Sequence, residues 1–179
     1  MLELFQRRRS IRKYQDRPLT QDQLDLLVKA ALLPPSSRNN KPWEFVFVTD
    51  KELLKKLAAS KEHGSAFLQG AVLGIVVIAD PAKSDVWIED VAIASTYLHL
   101  MATELGLGSC WIQIRERFHS PSVKSEDYIK ELLNIPENYR VGTIIAVGYP
   151  DEAKDAYKVE NLGYDKVNIN NYGEKYFNK

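Results

Sequence analysis

A run of arginines near the start of the chain could bind a phosphate group. Residues 8–12, Arg-Arg-Ser-Ile-Arg, place three guanidinium groups and one hydroxyl within five positions. Guanidinium donors match the oxygens of a phosphate in pairs, and such charge-assisted hydrogen bonds are roughly twice as strong as neutral ones. A basic cluster alone is more often a solvated surface. This segment, called the quintet below, therefore indicates a phosphate site only if a second feature of the sequence supports it.

The second feature is a polar loop over residues 35–43, Pro-Ser-Ser-Arg-Asn-Asn-Lys-Pro-Trp. The loop separates two apolar segments and ends in a proline and a large aromatic residue. Loops of this kind carry function more often than stability. Pro-Ser-Ser alone is usually no more than the end of a helix. The two segments therefore indicate a function only when they are considered together with the elements around them.

The net charge of the chain argues against a nucleic-acid-binding protein. The 179 residues carry 24 Lys and Arg against 24 Asp and Glu, so the formal net charge is zero. A protein that binds nucleic acid through bulk electrostatics is normally basic overall. We therefore expect no nucleic-acid partner, and we interpret the quintet as a local site for one small anion.

Cysteine usage and hydropathy indicate the compartment. The single cysteine, Cys110, can form no disulfide within the chain, which suits a reducing cytoplasm. Arginines interrupt the apolar start almost at once, and no run of about 18 apolar residues follows, so we expect neither a signal peptide nor a membrane span. No Cys/His pair has the spacing of a metal site, and no Gly-x-Gly-x-x-Gly follows a strand. The sequence predicts a cytoplasmic protein without a bound metal ion.

Apolar periodicity predicts alternating helices and strands around a central sheet. Thr20 with Gln23, and Thr49 with Glu52, have the spacing of capping boxes and predict the starts of two helices. The run over residues 74–79 is apolar throughout, which is typical of a strand buried on both faces. The predicted helices cover residues 20–33, 49–60, 86–105 and 125–133, and the predicted strands cover residues 44–48, 74–79, 109–114 and 141–149. The fold class is α/β or α+β.

Two segments suggest a second subunit. The helix over residues 86–105 is apolar on nearly every face, with charge confined mainly to Glu89, Asp90 and Glu104. Such a helix must be buried, and a subunit interface is a natural second surface for it, although burial inside one monomer stays open. Residues 151–179 are rich in Asn and Tyr and cannot fold alone, so they dock on their own domain or on a partner chain, or they stay disordered.

Six pieces of the chain, in this order, resemble the nitroreductase family of flavin enzymes. They are the quintet, the loop over residues 35–43, the strand over residues 74–80, the helix over residues 89–105, the turn over residues 106–112 and the strand over residues 141–150. The resemblance implies an α+β fold, with a central mixed β-sheet flanked by helices, and a single domain over residues 1–179. It also implies an interlocked homodimer with FMN bound at two sites between the subunits and NAD(P)H as co-substrate.

The resemblance also assigns roles to the quintet. Arg8 and Arg12 would pair with the FMN phosphate, and Arg9 would assist them. Ser10 would bond the phosphate or the ribityl chain. Family members add a cation from their C-terminal segment, and Lys166 is the best match for it in this chain.

The polar loop would reach the flavin that is bound mainly by the other subunit. The residues that match the family's loop are Pro35, Ser36, Ser37 and Asn39. An asparagine side chain both donates and accepts hydrogen bonds, so Asn39 suits the alternating polar edge of the flavin ring.

Trp111, Ile112 and Gln113 fall where family members present backbone groups to the flavin N5 region. The mechanism that the resemblance implies is ping-pong: hydride passes from NAD(P)H to N5, the oxidised nicotinamide leaves, and a small flat acceptor takes its place. Nitroaromatics and quinones are acceptors of this kind. Because the cofactor carries the chemistry, we expect no catalytic side chain.

Two other functions stay open. A specialised relative would dehalogenate its substrate or modify its own flavin, and such relatives usually add a substrate-binding lid, for which residues 116–125 are the only candidate. A flavin-binding regulatory or storage protein without turnover is the alternative outside the enzymes. These classes differ in whether NADH or NADPH bleaches the yellow protein.

Overall fold

A four-stranded antiparallel sheet in the order β1-β2-β6-β3 forms the centre of the protein, and β4 and β5 form a separate two-stranded hairpin. The strands are β1 (Trp43–Val48), β2 (Leu73–Ala79), β3 (Gly108–Gln113), β4 (Phe118–Ser120), β5 (Val123–Lys124) and β6 (Arg140–Gly148). This computed structural model describes residues 1–177. Asn178 and Lys179, the end of the predicted extension over residues 151–179, lie outside the described residues.

Five α-helices surround the sheet. They are α1 (Leu2–Arg7), α2 (Gln21–Leu32), α3 (Lys51–Ala58), α4 (Trp87–Glu104) and α5 (Ser125–Leu133). Short 3-10 turns cover Ser37–Asn39, Ala66–Gly70, Val159–Asn161 and Tyr164–Lys166. Each predicted helix and strand of the core is present within about two residues of its predicted ends. The sequence patterns missed α1 and the β4–β5 hairpin, which are too short for a clear apolar period.

The sheet is covered on both faces, which explains the uninterrupted apolar run of β2. One face packs against α2 and α4, where Leu27 and Leu98 join a core cluster with Ile75 of β2. The other face packs against α3 and α5, where Leu57 and Ile129 join a second cluster. The predicted burial of this strand on both faces is confirmed, since every residue of β2 is buried.

The predicted α+β class is confirmed, and the sheet is mixed in a limited sense. All pairings among β1, β2, β3 and β6 are antiparallel. The parallel element is a single bridge between Ser10 and Ser109, where the quintet runs beside β3. The quintet is therefore attached to the edge of the sheet.

One of the two predicted capping boxes is correct. Thr20 accepts a hydrogen bond from the backbone of Gln23, whose side chain accepts one from the Thr20 backbone in return. The box predicted at Thr49 is wrong, because Asp50 is the N-cap of α3 and accepts from the Leu53 backbone N–H at 2.8 Å. Aspartate is as good an N-cap as threonine, and its position fixes the helix start.

The helix α4 buries one side in the core and exposes an apolar strip on the other. Ile93 and Tyr97 are 38% and 40% exposed, respectively. Between α1, the end of α2 and α4 lies an apolar groove of about 620 Å³ that includes Phe5, Leu33 and Tyr97 in its lining. Among residues 1–177, no helix is long and apolar enough to cross a membrane.

The C-terminal segment has two parts. Residues 151–157 lie along the start of the chain, where the backbone N–H of Tyr157 donates to the Gln6 carbonyl at 2.9 Å and the Gln6 side chain donates back at 3.0 Å. Residues 164–177 turn back on themselves, with a bridge between Asn168 and Lys175. Several apolar side chains of this second part are exposed, namely Val167, Ile169, Tyr172, Tyr176 and Phe177.

Candidate functional site

The backbone of the quintet is fixed by the edge strand β3. The N–H of Ile11 donates to the Ser109 carbonyl at 3.0 Å, beside the Ser10–Ser109 bridge. Ile11 is buried over Gly108, where an added Cβ would lie 2.7 Å from the Ile11 Cβ. A glycine at position 108 is therefore required for the quintet to approach the strand this closely. A second bridge, between Tyr14 and Pro150, holds the end of the segment beside β6.

Three side chains of the quintet gather around the thiol of Cys110. The Ser10 hydroxyl and the charges of Arg12 and Arg8 lie close enough to this thiol to act on its pKa. Burial raises the pKa of the Cys110 thiol, and these charges and the Ser10 hydroxyl oppose that rise. The structure thus brings together the side chains of Arg8, Ser10 and Arg12.

Arg9 extends instead to the C-terminal segment. Its guanidinium lies 4.4 Å from the centroid of the Tyr157 ring and donates a hydrogen bond to the Asp155 carbonyl. In an extended segment, consecutive side chains point to opposite sides, so Arg9 cannot share the direction of Arg8 and Ser10. Its visible role is to anchor residues 151–157 to the quintet.

A cation that the sequence patterns missed completes the cluster. The Nζ of Lys154 donates to the Ser10 carbonyl at 2.5 Å, and its charge also acts on Cys110. The predicted cation Lys166 lies elsewhere, in the turn Tyr164–Lys166, with its aliphatic chain packed over Gly163. The Tyr14–Pro150 bridge carries the chain after β6 past the quintet, and this pairing was not visible in the sequence.

The carboxylate of Glu152 contacts both the quintet and Lys154. Its Oε1 accepts a hydrogen bond from the Arg12 backbone N–H at 2.5 Å and lies 3.7 Å from the Nζ of Lys154. The hydrogen bond from Arg12 holds the pKa of Glu152 below its ordinary value. This carboxylate orders the backbone of the quintet and balances one of the three cations.

His99 joins α4 to the strand that carries the quintet. Its Nδ1 lies 2.7 Å from the Ser109 hydroxyl, and its ring stacks against Trp111 with the centroids 6.4 Å apart. Burial, and to a smaller extent the nearby charge of Arg8, lowers the pKa of His99 to about 4. The imidazole is therefore neutral near pH 7.

The free edge of β3 continues away from the quintet. The Ser109 carbonyl faces Ile11, and edge-facing groups alternate along an antiparallel strand, so the backbone groups of Trp111 and Gln113 face the same edge. The Trp111 indole N–H donates to the Gln113 side chain at 3.0 Å. Ile112 has its side chain in the core and presents nothing to this edge.

The polar loop is held at the other end of α4. The backbone N–H of Ser37 donates to Asp90 at 2.9 Å, and the hydroxyl of Ser84 donates to the other oxygen of the same carboxylate at 2.8 Å. The Ser36 hydroxyl accepts from the Lys41 backbone at 2.9 Å. Asn39, at φ 57°, is exposed. Positive φ is tolerated by asparagine better than by most residues.

The loop and the quintet are separated within one chain. Asp90 anchors the loop and His99 lies at the quintet, and the two are nine positions apart in α4, which corresponds to about 13 Å along the helix axis. The loop residues Pro35, Ser36, Ser37 and Asn39 are thus not part of the cluster around Cys110. Among residues 1–177, no group of three or more His, Cys, Asp or Glu side chains could hold a metal ion.

The donor set at the quintet fits a phosphate dianion. Arg8, Arg12 and Lys154 supply three cations, and Ser10 supplies a hydroxyl, while the carboxylate of Glu152 opposes them. Charge-assisted donors of this kind are the usual ligands of a phosphate in proteins. The adjoining free edge of β3 offers backbone groups to whatever extends from that phosphate.

Comparison with known proteins agrees with this geometry. The model of the nitroreductase family matches residues 5–65 and 58–149. A solved structure described as an FMN-dependent nitroreductase, from Clostridium difficile R20291, is 48% identical, with a TM-score of 0.94 over 96% of this chain and 100% of that one. A provisionally named NADH dehydrogenase/NAD(P)H nitroreductase of Archaeoglobus fulgidus is 37% identical over 89% of this chain and 91% of its own. A relative with the same name from Methanothermobacter thermautotrophicus is 32% identical over 93% of this chain and 87% of its own. The chain belongs to the nitroreductase family.

Proposed function

We propose that this protein is an FMN-dependent oxidoreductase that uses NADH or NADPH to reduce small flat acceptors such as nitroaromatics or quinones. The observation that carries the proposal is the cluster of Arg8, Ser10, Arg12 and Lys154 at one end of the free edge of β3. Membership of the family and the names of the most similar relatives support it.

In this proposal the quintet binds the phosphate of FMN. Arg8 and Arg12 pair with the phosphate oxygens, and Ser10 donates to the phosphate or to the ribityl chain. Lys154 supplies the cation from the C-terminal segment, in place of the Lys166 that the resemblance suggested. Arg9 assists indirectly, because it holds the segment that carries Lys154 against the quintet.

The backbone of β3 orients the ring. FMN, when bound, supplies a hydride acceptor and donor at N5, so the protein needs no acid–base pair of its own. The edge-facing groups of Trp111 and Gln113 provide hydrogen-bond partners for the polar edge of the ring. His99 keeps Ser109, and with it the bridge to Ser10, in place.

We further propose that two copies of the chain form an interlocked homodimer with two such sites. The separation of the loop from the quintet along α4 supports this, because Pro35, Ser36, Ser37 and Asn39 lie away from the phosphate cluster of their own chain and are free to reach the site of another subunit. The exposed strip of α4 and the neighbouring apolar groove offer a surface for the second copy. Residues 151–179 extend a single domain, and their apolar second part covers the partner.

We propose that the nicotinamide and the acceptor use the same ring face in turn, which is ping-pong kinetics. A specialised substrate would need a lid, and the candidate over residues 116–125 is a two-stranded hairpin that packs back on residues 59–62. This favours a general reductase over a dehalogenating or flavin-modifying enzyme. Cys110, the one cysteine, is buried and unpaired, which supports the cytoplasm as the compartment.

Cofactor release and sedimentation test this proposal together. We expect the purified protein to be yellow, to release FMN on heating, and to sediment as a dimer while the cofactor is bound. FAD as the sole released flavin would contradict the cofactor assignment. A stable monomer loaded with FMN would contradict the shared site.

A further inference from the structure

The hairpin β4–β5 and the segment over residues 59–64 form one unit beyond the end of β3. The backbone N–H of Glu62 donates to the Phe118 carbonyl at 3.2 Å. His119 donates from Nδ1 to the Ala59 carbonyl at 2.7 Å, and its ring stacks on Tyr128 with centroids 4.1 Å apart. These contacts hold the hairpin in one position against the segment.

This unit brings the charges of Lys61 and Arg117 close together. Lys61 is half-buried, and burial lowers the pKa of its ammonium, as does the nearby charge of Arg117. Arg117 donates to the Glu116 backbone carbonyl at 2.7 Å, whereas the Glu116 carboxylate pairs with Arg115 at 3.4 Å. Within residues 1–177, neither Lys61 nor Arg117 has an ion-pair partner. Two like charges held close together favour an anion beside them.

Two buried hydroxyls lie in the segments that carry the same pair. Ser60 and Ser125 are fully buried, and in the part of the chain that the structure describes their Oγ atoms are the buried side-chain atoms without a hydrogen-bond partner. Ser60 directly precedes Lys61, and the backbone N–H of Ser125 donates to the Arg117 carbonyl at 2.9 Å. A buried hydroxyl without a partner is costly, so the segments on either side of the pair carry an unusual local feature.

The unit lies next to the part of β3 that we assign to the flavin ring. The Gln113 side chain donates to the Arg115 carbonyl at 3.0 Å, which ties the strand to the chain leading to Arg117. From Ser109 to Gln113 the strand spans about 14 Å, so the pair lies well away from the phosphate cluster around Ser10. An anion at Lys61 and Arg117 is therefore not the phosphate held by the quintet.

We propose that Lys61 and Arg117 form a second anion-binding subsite, which receives a carboxylate or phosphate group of a substrate while its reacting part lies over the flavin ring. This inference rests on the proposed function, since it assumes that a ring lies beside Gln113. The anion comes either from a carboxylate on the acceptor or from a phosphate of the nicotinamide nucleotide. In both cases the subsite selects substrates with a negative group at one end.

Paired substrates of matched shape test the subsite. The variants are Lys61→Met and Arg117→Gln, with Lys55→Met as the control, because Lys55 is an exposed lysine of α3. Steady-state rates are measured with 4-nitrobenzoate against 4-nitrobenzyl alcohol, and with NADH against NADPH. Loss of a charge-assisted contact is expected to raise KM for the anionic partner about tenfold, with kcat and the KM of the neutral acceptor within about twofold.

The pattern of KM changes identifies the source of the anion. A rise for 4-nitrobenzoate alone assigns the subsite to an acceptor carboxylate. A rise confined to the nucleotides assigns it to a nucleotide phosphate. Equal changes for charged and neutral substrates, no change at all, or the same change in Lys55→Met would overturn the proposal.

A binding measurement separates this inference from the proposed function. Titration of the FMN-loaded protein with 4-nitrobenzoate or 4-nitrobenzyl alcohol, followed through the flavin absorbance, requires no turnover, and titration with NADP⁺ covers the nucleotide. We expect Lys61→Met and Arg117→Gln to weaken binding of an anionic ligand about tenfold and to leave the alcohol unaffected. If neither NADH nor NADPH reduces the flavin, the proposed function fails while this result can still stand. Unchanged binding of both anions in both variants would overturn the subsite.

Discussion

The Nδ1 atom of His99 lies 2.7 Å from the hydroxyl of Ser109, and this contact joins the long helix α4 to the strand that carries the quintet. Ser109 is also the partner of Ser10 in the parallel bridge. One buried imidazole thus lies between the core of the protein and the segment that we assign to the FMN phosphate. Its neutral form keeps a further positive charge away from Arg8.

The low pKa of His99 predicts how stability depends on pH. The folded protein holds this pKa at about 4, whereas an exposed histidine titrates near 6.5. Below about pH 6.5 the unfolded state therefore binds a proton that the folded state does not bind, so the free energy of unfolding falls as the pH falls toward 4. Between pH 7 and pH 5 we expect a loss of about 2 kcal/mol from this group.

Urea unfolding of the FMN-free protein at pH 7, 6 and 5 measures the effect. The variant His99→Asn should show a smaller loss between pH 7 and pH 5 than the unmodified protein. The variant His63→Gln serves as the control, because His63 is exposed, and it should keep the full dependence. The same pH dependence in His99→Asn as in the unmodified protein would show that other groups cause it.

The close approach of Ile11 to β3 predicts a severe effect of a single methyl group. Gly108→Ala places a Cβ 2.7 Å from the Cβ of Ile11, so the quintet must shift away from the strand. We expect the free energy of unfolding to fall by about 1–3 kcal/mol and FMN binding to weaken with it. Gly70→Ala meets no atom within 4 Å and should change both quantities little. Chemical denaturation and FMN titration of the two variants give the comparison.

Two adjacent cations distinguish a positioned phosphate site from a diffuse basic patch. Arg12 is one of the cations that act on Cys110 in the cluster, whereas its neighbour Lys13 is not among them. We expect Arg12→Ala to cost on the order of 1.5–3 kcal/mol of FMN binding, or roughly ten- to a hundredfold in Kd. Lys13→Ala should cost well under about 1 kcal/mol. Titration of the apo-protein with FMN measures both, and equal losses would mean that a diffuse charge holds the cofactor.

Lys154 and Lys166 are alternative candidates for the cation that the C-terminal segment contributes to the phosphate site. The structure places the Nζ of Lys154 against the Ser10 carbonyl, while Lys166 packs over Gly163. We expect Lys154→Met to weaken FMN binding about tenfold and Lys166→Met to change it less than about twofold. A larger loss for Lys166→Met would restore the assignment that the resemblance suggested, and would require the second part of the C-terminal segment to reach a phosphate cluster in the dimer.

The core of the fold could be predicted from the sequence because its signals are local. The apolar run of β2 and the Thr20 capping box depend only on neighbours along the chain. The start of α3 was misplaced because Thr49 and Asp50 are both good caps, and the pattern offers no means to choose between them. The hairpin β4–β5 was missed because its strands are short and partly exposed.

The candidate site was predictable only in part, for a different reason. Arg8, Ser10 and Arg12 were found because they are close in sequence and of one chemistry. Lys154 was not, because its place depends on the Tyr14–Pro150 bridge, which joins distant parts of the chain. The role of Arg9 was also hidden, since Tyr157 and Asp155 are nearly 150 residues away along the chain.

An anaerobic titration with the two substrates added separately tests the central claim most directly. The FMN-loaded protein is mixed with one equivalent of NADH or NADPH per flavin, the nucleotide is removed, and a quinone or nitroaromatic is then added. The account predicts that the flavin absorbance disappears in the first step and returns in the second, with no nucleotide present. Absorbance that persists with both nucleotides, or that changes only when nucleotide and acceptor are present together, would contradict it.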